Sequence, residues 1–201
     1  MINKYALVGN PNSGKTTLFN CLTGSNQHVG NWPGVTIEKK EGRVSRKRGE
    51  AAVIDLPGIY SLSPYTQEEL IARNYILDEK PNLIINIVDA TNLERNLYLT
   101  LQLAELGVPM VVALNMMDEV EKSGDIIDYS LLSSLIGITV VPISASKNTG
   151  IKKLLLSAQH ELVHVEKPKH RDRHSNTGNM PDIYTGALNN AIAQIEEIIE
   201  V

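Results

Sequence analysis

An α/β fold, with a mostly parallel six-stranded sheet covered by helices on both faces, is what this 201-residue sequence predicts. Short apolar runs of strand length alternate with amphipathic helical stretches, the pattern of a parallel sheet buried on both sides. Several of those runs end in a glycine, aspartate or asparagine, where a strand hands over to a polar loop. The first does so in Gly9-Asn10-Pro11-Asn12-Ser13-Gly14-Lys15-Thr16, which fits G-x-x-x-x-G-K-[ST] and lies between a strand and a helix, the context a phosphate-binding loop requires.

Taken in order, the first strand lies near residues 4–9 and its helix near 15–24, with Leu18, Phe19 and Leu22 on the apolar face. A polar, glycine-rich loop follows from Ser25 to Val35. Two strands then flank a turn at Arg48-Gly49, the second being Ala51–Ile54, and this hairpin supplies the sheet's one antiparallel pairing. Thr66 and Glu69 have capping-box spacing at a helix start. The strand Leu83–Val88 leads into Asp89-Ala90-Thr91 and a long helix carrying Leu93, Leu97, Leu101, Leu103 and Ala104, which Gly107 stops. Strands Met110–Leu114 and Ile138–Ile143 complete the sheet, and Ile151, Leu154, Leu155, Ala158 and Leu162 mark the closing helix.

In the phosphate-binding loop the glycines let backbone N–H groups converge on one anion, and the helix that starts there adds its positive dipole end. Gly9, Asn10, Pro11, Asn12, Ser13, Gly14, Lys15, Thr16 and Thr17 form this cradle. Lys15 reaches toward the β- and γ-phosphates, and the Thr16 hydroxyl is a Mg²⁺ ligand. Asp55-Leu56-Pro57-Gly58 reads as D-x-x-G, with the Asp55 carboxylate holding Mg²⁺ through water and the Gly58 N–H facing a γ-phosphate. Asn115-Met116-Met117-Asp118 closes another buried strand. A carboxylate at Asp118 accepts from both N1–H and the exocyclic amine of guanine, donors that adenine does not offer there, and an unpaired buried acceptor is costly. Ser144-Ala145-Ser146 follows the last strand and offers a backbone N–H to guanine O6. The bound species are therefore GTP and GDP.

Hydrophobic residues make up 42% of the chain and charged residues 21%, ordinary for a globular domain. A net charge of −4 gives no support for nucleic-acid binding. The one cysteine, Cys21, excludes an internal disulfide and reads as a helix-face packing residue. Met1-Ile2-Asn3-Lys4 runs directly into the first strand, and the apolar stretches fall short of the ~18–20 residues of a membrane helix. Arg43, Arg46, Lys47 and Arg48 read as a solvated hairpin tip. His160, His164, His170 and His174 lack the cysteine or carboxylate partners a metal site needs.

Residues 166–181 have no apolar periodicity and read as a linker. Ile183, Ala187, Leu188, Ala191, Ile192, Ile195 and Ile199 then form the stripe of one more helix over 182–201. That stripe is still running at Val201, with Glu196, Glu197 and Glu200 where a helix dipole disfavours acids, so the end reads as cut.

Gly30-Asn31-Trp32-Pro33-Gly34-Val35-Thr36, Asp55-Leu56-Pro57-Gly58-Ile59-Tyr60-Ser61-Leu62 and Asp89-Ala90-Thr91-Asn92-Leu93-Glu94-Arg95-Asn96-Leu97 resemble the amino-terminal G domain of the ferrous iron transport protein B family. The resemblance covers residues 1–165 and implies a Ras-like P-loop GTPase. It implies that 182–201 begins a helical domain, with a polytopic Fe²⁺-conducting membrane region further on, and that the G domain lies at the cytoplasmic face of the membrane. It makes Gly34, Val35 and Thr36 part of the GTP site, Thr36 being a Mg²⁺ ligand in the triphosphate state. By the same resemblance Asn12 coordinates K⁺, and the carbonyls of Gly30 and Trp32 complete that site. Lys15, Asn12, Thr36 and Gly58 become the catalytic set. Ile59 stands where Ras-like proteins place a water-orienting glutamine, which implies slow hydrolysis. Met116 replaces the lysine of N-K-x-D, which implies modest affinity and fast exchange. A stand-alone signalling GTPase acting on a protein partner remains the alternative, and a homo-oligomer stays open.

Overall fold

The computed structural model describes residues 2–24, 27–44 and 50–165. A seven-stranded sheet runs through it in the order β2-β3-β4-β1-β5-β6-β7. The strands are β1 (Asn3–Gly9), β2 (Gln27–Asn31), β3 (Glu38–Val44), β4 (Ala51–Asp55), β5 (Leu83–Asp89), β6 (Met110–Asn115) and β7 (Thr139–Pro142). The helices are α1 (Lys15–Thr23), α2 (Gln67–Asn74), α3 (Leu93–Glu105), α4 (Met117–Ser123), α5 (Tyr129–Ile136) and α6 (Ile151–Val165). From β4 through β7 every pairing is parallel.

Alternation along β1 sends its side chains to two different cores. Tyr5 and Leu7 pack with Leu18, Phe19 and Leu22 of α1 and with Ile151, Leu154, Leu155 and Ala158 of α6. Ala6 and Val8 face the other way, against Ala72 of α2 and Leu99 and Leu103 of α3. A third cluster joins Val88, Val112 and Leu114 to Leu93 and Leu97 of α3, Val120 of α4 and Leu132 of α5. Both faces of β1, β5 and β6 are thus covered, which is why these segments read as continuous apolar runs. Cys21 is half-buried against the first core, as a packing residue should be, and its thiol donates to the Ala145 carbonyl.

The sheet holds seven strands where the sequence predicts six, and two antiparallel pairings where it predicts one. The additional strand is β2, inside the segment 25–35 expected to be loop. It pairs antiparallel with β3, from Gln27 opposite Gly42 to Asn31 opposite Glu38. No β2 residue is buried, so no apolar alternation announces it and its backbone ladder holds it at the sheet edge. The other antiparallel pairing, β3 with β4, is the expected hairpin. Its tip, with Arg46, Lys47 and Arg48, lies outside the described residues, as do the expected linker 166–181 and helix 182–201.

Trp32 also departs from the loop expectation. It sits in the second core at 8% exposure, edge-on to Tyr75 at 5.5 Å, with the Lys39 ammonium 5.2 Å from its ring centre. Its main-chain N–H donates to the Ile37 carbonyl, and its main-chain carbonyl accepts from the Val35 N–H, which leaves Pro33–Thr36 as a tight turn. Burying the indole outweighs the polar composition of its neighbours.

The Thr66 capping box forms as the spacing predicts. The Thr66 hydroxyl accepts from the Glu69 N–H at 3.2 Å, and the Glu69 carboxylate accepts from the Thr66 N–H at 3.1 Å. Glu69 also accepts from the Ser61 hydroxyl, which ties the segment after D-x-x-G to α2. Thr66→Ala should lower stability by about 1 kcal/mol, read as a reduced urea midpoint with an unchanged slope.

Candidate functional site

At the carboxyl end of β1 the chain turns through a loop built for backbone approach. Gly9 is packed so tightly that a Cβ would lie 2.4 Å from the Ile87 side chain and 2.6 Å from its carbonyl. Gly14 adopts φ +88°, and a Cβ there would lie 2.3 Å from the Asn115 amide. These two positions admit glycine alone, which accounts for their spacing in the motif. Asn12 has φ +66°, a left-handed conformation that asparagine tolerates better than most residues. The loop opens on a cavity of about 440 Å³ lined by Asn10, Pro11, Asn12, Gly14, Lys15, Thr16, Thr17 and Gly58. Ser13 turns inward, its hydroxyl donating to the Asn10 carbonyl. The Asn10 amide is buried with no hydrogen-bond partner among the described residues.

Across the cavity, Lys15 donates to the Asp55 carboxylate at 2.6 Å. Burial lifts the Asp55 carboxyl above the usual carboxylate range, and the Lys15 charge pulls it back. Leu56 is buried and its N–H donates to the Leu7 carbonyl, while Pro57 is half-buried. Gly58 faces Pro11 so closely that a Cβ would meet its backbone at 3.2 Å, a contact that Pro11 would have to yield to by a few tenths of an ångström. Ile59 is 1% exposed, packed in the second core with its N–H on the Gly9 carbonyl. It offers nothing to the cavity.

The other end of the site is organised by Asn115. Its amide nitrogen donates to the Ser13 carbonyl at 2.9 Å, and its amide oxygen accepts from the Ala145 N–H at 2.9 Å. One buried side chain therefore fastens the phosphate-binding loop to the loop after β7. The Ser144 N–H donates to the Thr149 carbonyl, so the main-chain N–H groups of both Ser144 and Ala145 are engaged within the protein. Met116 is half-buried at φ +66°, the left-handed turn from which α4 begins. Asp118, 8% exposed, sits in the first turn of that helix. Hydrogen bonding from Ser144, followed by Lys147, holds its carboxyl below the usual range, so it remains a carboxylate acceptor at neutral pH. Lys147 Nζ lies 3.3 Å from Asp118 Oδ2. Motif reading passes over Lys147, though its place directly after Ser-Ala-Ser is a usable signal.

The structure thus gathers the phosphate-binding loop, Asp55 and Gly58 at one end and Asn115, Asp118 and Ser144–Ser146 at the other. It does not bring every expected residue to the cavity. Gly34 and Thr36 are exposed and Val35 half-buried in the Pro33–Thr36 turn, Gly30 lies in β2 opposite Lys39, and Trp32 belongs to the core. None of the five lines the cavity.

A phosphate-binding loop, D-x-x-G and N-x-x-D at the ends of parallel strands define a Ras-like P-loop G domain. Residues 3–158 match the model of the ferrous iron transport protein B family, and the chain belongs to that family. It is 51% identical over 173 residues to the Fe(2+) transporter FeoB of Escherichia coli K12, a match covering 81% of this chain and 22% of that protein. A GDP-bound variant of the S. thermophilus FeoB G-domain superposes with TM-score 0.77 at 52% identity, covering 80% of this chain and 61% of that one. The apo cytosolic domain of T. maritima FeoB gives TM-score 0.79 at 38% identity, covering 98% of this chain and 74% of that one. The chain spans about a fifth of the length of the curated relatives it matches. Among the described residues no helix is long and apolar enough to cross a membrane.

Removing the Asn115 side chain beyond Cβ would leave the Ser13 carbonyl and the Ala145 N–H without partners in a buried setting. Asn115→Ala should therefore cost about 2–4 kcal/mol of stability in urea denaturation of the nucleotide-free protein.

Proposed function

We propose that this chain is the GTP-binding and GTP-hydrolysing domain of a ferrous iron transporter, and that its nucleotide cycle regulates or drives Fe²⁺ passage through a membrane region outside this chain. In the parent protein it would lie at the cytoplasmic face of the membrane. The observation that carries the nucleotide reading is the glycine-built phosphate cavity of residues 10–17 and Gly58, tied by the Asn115 amide to the 144–146 loop whose Ser144 bonds the buried Asp118 carboxylate. Iron transport is supported by family membership and by the similarity to the E. coli Fe(2+) transporter.

Hydrolysis is an in-line attack of water on the γ-phosphorus, with GDP leaving. Lys15 releases Asp55 and meets the β- and γ-phosphates, joined by backbone N–H groups of residues 12–16 and by the Gly58 N–H. A magnesium ion held by the Thr16 and Thr36 hydroxyls, with Asp55 behind water, would neutralise phosphate charge; such hard oxygen donors suit it. Asn12, open at the cavity rim, would hold a potassium ion with the Gly30 and Trp32 carbonyls, placing positive charge beside the bridging oxygen. For Thr36 and these carbonyls to take part, the whole 30–36 segment must move over the cavity, with Gly30 leaving its β2 pairing and the Trp32 carbonyl leaving Val35, a γ-phosphate-dependent rearrangement of the kind GTPase switches make. With Ile59 in the core, water is positioned by backbone groups and the intrinsic rate is slow.

GTP and GDP should bind about tenfold or more tightly than ATP and ADP, and Asp118→Asn should shift preference toward xanthine nucleotides, whose C2 oxygen suits an amide donor. Equal calorimetric affinities for GDP and ADP in the unmodified protein contradict the guanine reading. Replacing Na⁺ by K⁺ at constant ionic strength should raise the rate of phosphate release, and Asn12→Ala should abolish that rise while GDP still binds. Equal rates in both salts return Asn12 to a loop-shaping role.

A further inference from the structure

No residue of the run Asp89–Leu97 lines the cavity, yet the helix it opens carries polar side chains into the core. Asn86 of β5 and Asn96 and Thr100 of α3 are fully buried. On the same face of β5, Ile84 belongs to the second apolar cluster and Val88 to the third, so Asn86 interrupts a surface that is otherwise apolar. The Thr100 hydroxyl donates to the Asn86 amide oxygen at 2.7 Å. The Asn86 amide nitrogen donates to the Val8 carbonyl at 3.3 Å, one residue before the phosphate-binding loop. One turn back along α3, the Asn96 amide oxygen accepts from the Asp89 N–H at 3.2 Å, and its nitrogen donates to the Asn92 carbonyl at 2.9 Å. Both asparagine amides are thus satisfied at each end.

Apolar contact is non-directional and tolerates small slides and rotations of a helix, whereas a satisfied buried polar chain permits one register. The other side of α3 carries what that register controls. Thr100 and Gln102, two residues apart on a helix, point to nearly opposite sides. Gln102 Oε1 accepts from the Leu62 N–H at 2.8 Å, and the Arg95 guanidinium lies 5.6 Å from the Tyr60 ring centre. We propose that Asn86 and Thr100 are positioning residues for GTP hydrolysis, a role that rests on the Gly58 N–H as a γ-phosphate contact. Their hydrogen bond sets the register of α3 on the sheet, and α3 sets the segment Gly58–Leu62 against the phosphate-binding loop. A shift of Leu62 carried back along four residues moves the Gly58 N–H relative to the γ-phosphate. Residues 12–16 are held separately, by the Asn115 amide on the Ser13 carbonyl, so the diphosphate keeps its cradle. Loss of the Asn86–Thr100 bond therefore lowers the rate of hydrolysis and spares GDP binding.

Single-turnover GTP hydrolysis, calorimetric GDP affinity and hydrogen exchange at the Leu62 amide test this in the unmodified chain and its variants. Thr100→Val keeps the shape and loses the donor. It should slow hydrolysis about fivefold or more and hold GDP affinity within about twofold, with faster exchange at Leu62. Thr100→Ser keeps the hydroxyl and should behave as the unmodified chain. In Asn86→Leu/Thr100→Val both partners become apolar, which restores stability relative to Thr100→Val alone. Hydrolysis should stay slow there, because nothing polar selects the register. On the other side of the helix, half-buried Gln102 offers a variant in which folding is not at stake. Gln102→Leu should slow hydrolysis as Thr100→Val does, and Gln102→Glu, which keeps the acceptor, should not. Recovery of hydrolysis together with stability in the double variant overturns the proposal, since the pair is then structural only. So does GDP affinity that falls in step with the rate, or Leu62 exchange unchanged by Thr100→Val. If Thr100→Val does not fold, the double variant and the two Gln102 variants decide. If the unmodified chain does not hydrolyse GTP, the GTPase reading itself fails; if it does and the variants keep pace, only the positioning role falls.

Discussion

The rest of the site depends on the two hydrogen bonds made by the Asn115 amide. Ser13 belongs to the loop after β1 and Ala145 to the loop after β7, so the bonds span sequence separations of 102 and 30 residues. Both partners are main-chain groups, which makes the anchoring independent of the side chains that touch a ligand. The glycine at position 14 lets this happen, because any Cβ there would collide with the Asn115 amide. Motif glycine and motif asparagine therefore answer one packing requirement as well as two chemical ones. A nucleotide entering such a site meets a phosphate cradle and a base pocket already in register, which reduces the ordering cost of binding.

Charge supplies the complementary constraint. A largely buried carboxylate such as Asp55 or Asp118 cannot stand uncompensated in low dielectric, so each needs a cation beside it. Lys15 and Lys147 meet that need at opposite ends. The segment after D-x-x-G is held differently, through Ser61 on Glu69, Leu62 N–H on the Gln102 side chain, and Arg95 over the Tyr60 ring. These contacts join it to α2 and α3, and none of them involves the cavity-lining residues.

Most of the frame was legible because it is written in strong local signals. The apolar runs of β1, β5 and β6 are buried on both faces, the Thr66–Glu69 box caps α2, and Gly107 stands just beyond α3 with φ +68°. β2 was illegible because an exposed edge strand needs only a partner ladder and carries no apolar alternation. Trp32 was misjudged for the opposite reason: its polar, glycine-rich neighbours concealed an indole that packs on Tyr75. In α3, Leu101 is only half-buried while Leu99 is fully buried, a small rotation that periodicity alone does not resolve. Motifs located the site's backbone accurately. They are silent on what pairs with the site's own polar groups, so the Asn115 bridge could not be read from spacing, whereas Lys147, directly after Ser-Ala-Ser, left a usable signal.

Hydrogen exchange at the Ala145 amide is the most direct test of a site assembled before its nucleotide arrives. That N–H is bonded to the Asn115 side chain, in a loop that would otherwise exchange freely, so its exchange is followed in nucleotide-free protein. Protection comparable to the amides of β6, and lost in Asn115→Ala, is the result expected. Exchange at the rate of an open loop until GDP is added would mean that the nucleotide builds the site, and would contradict the account.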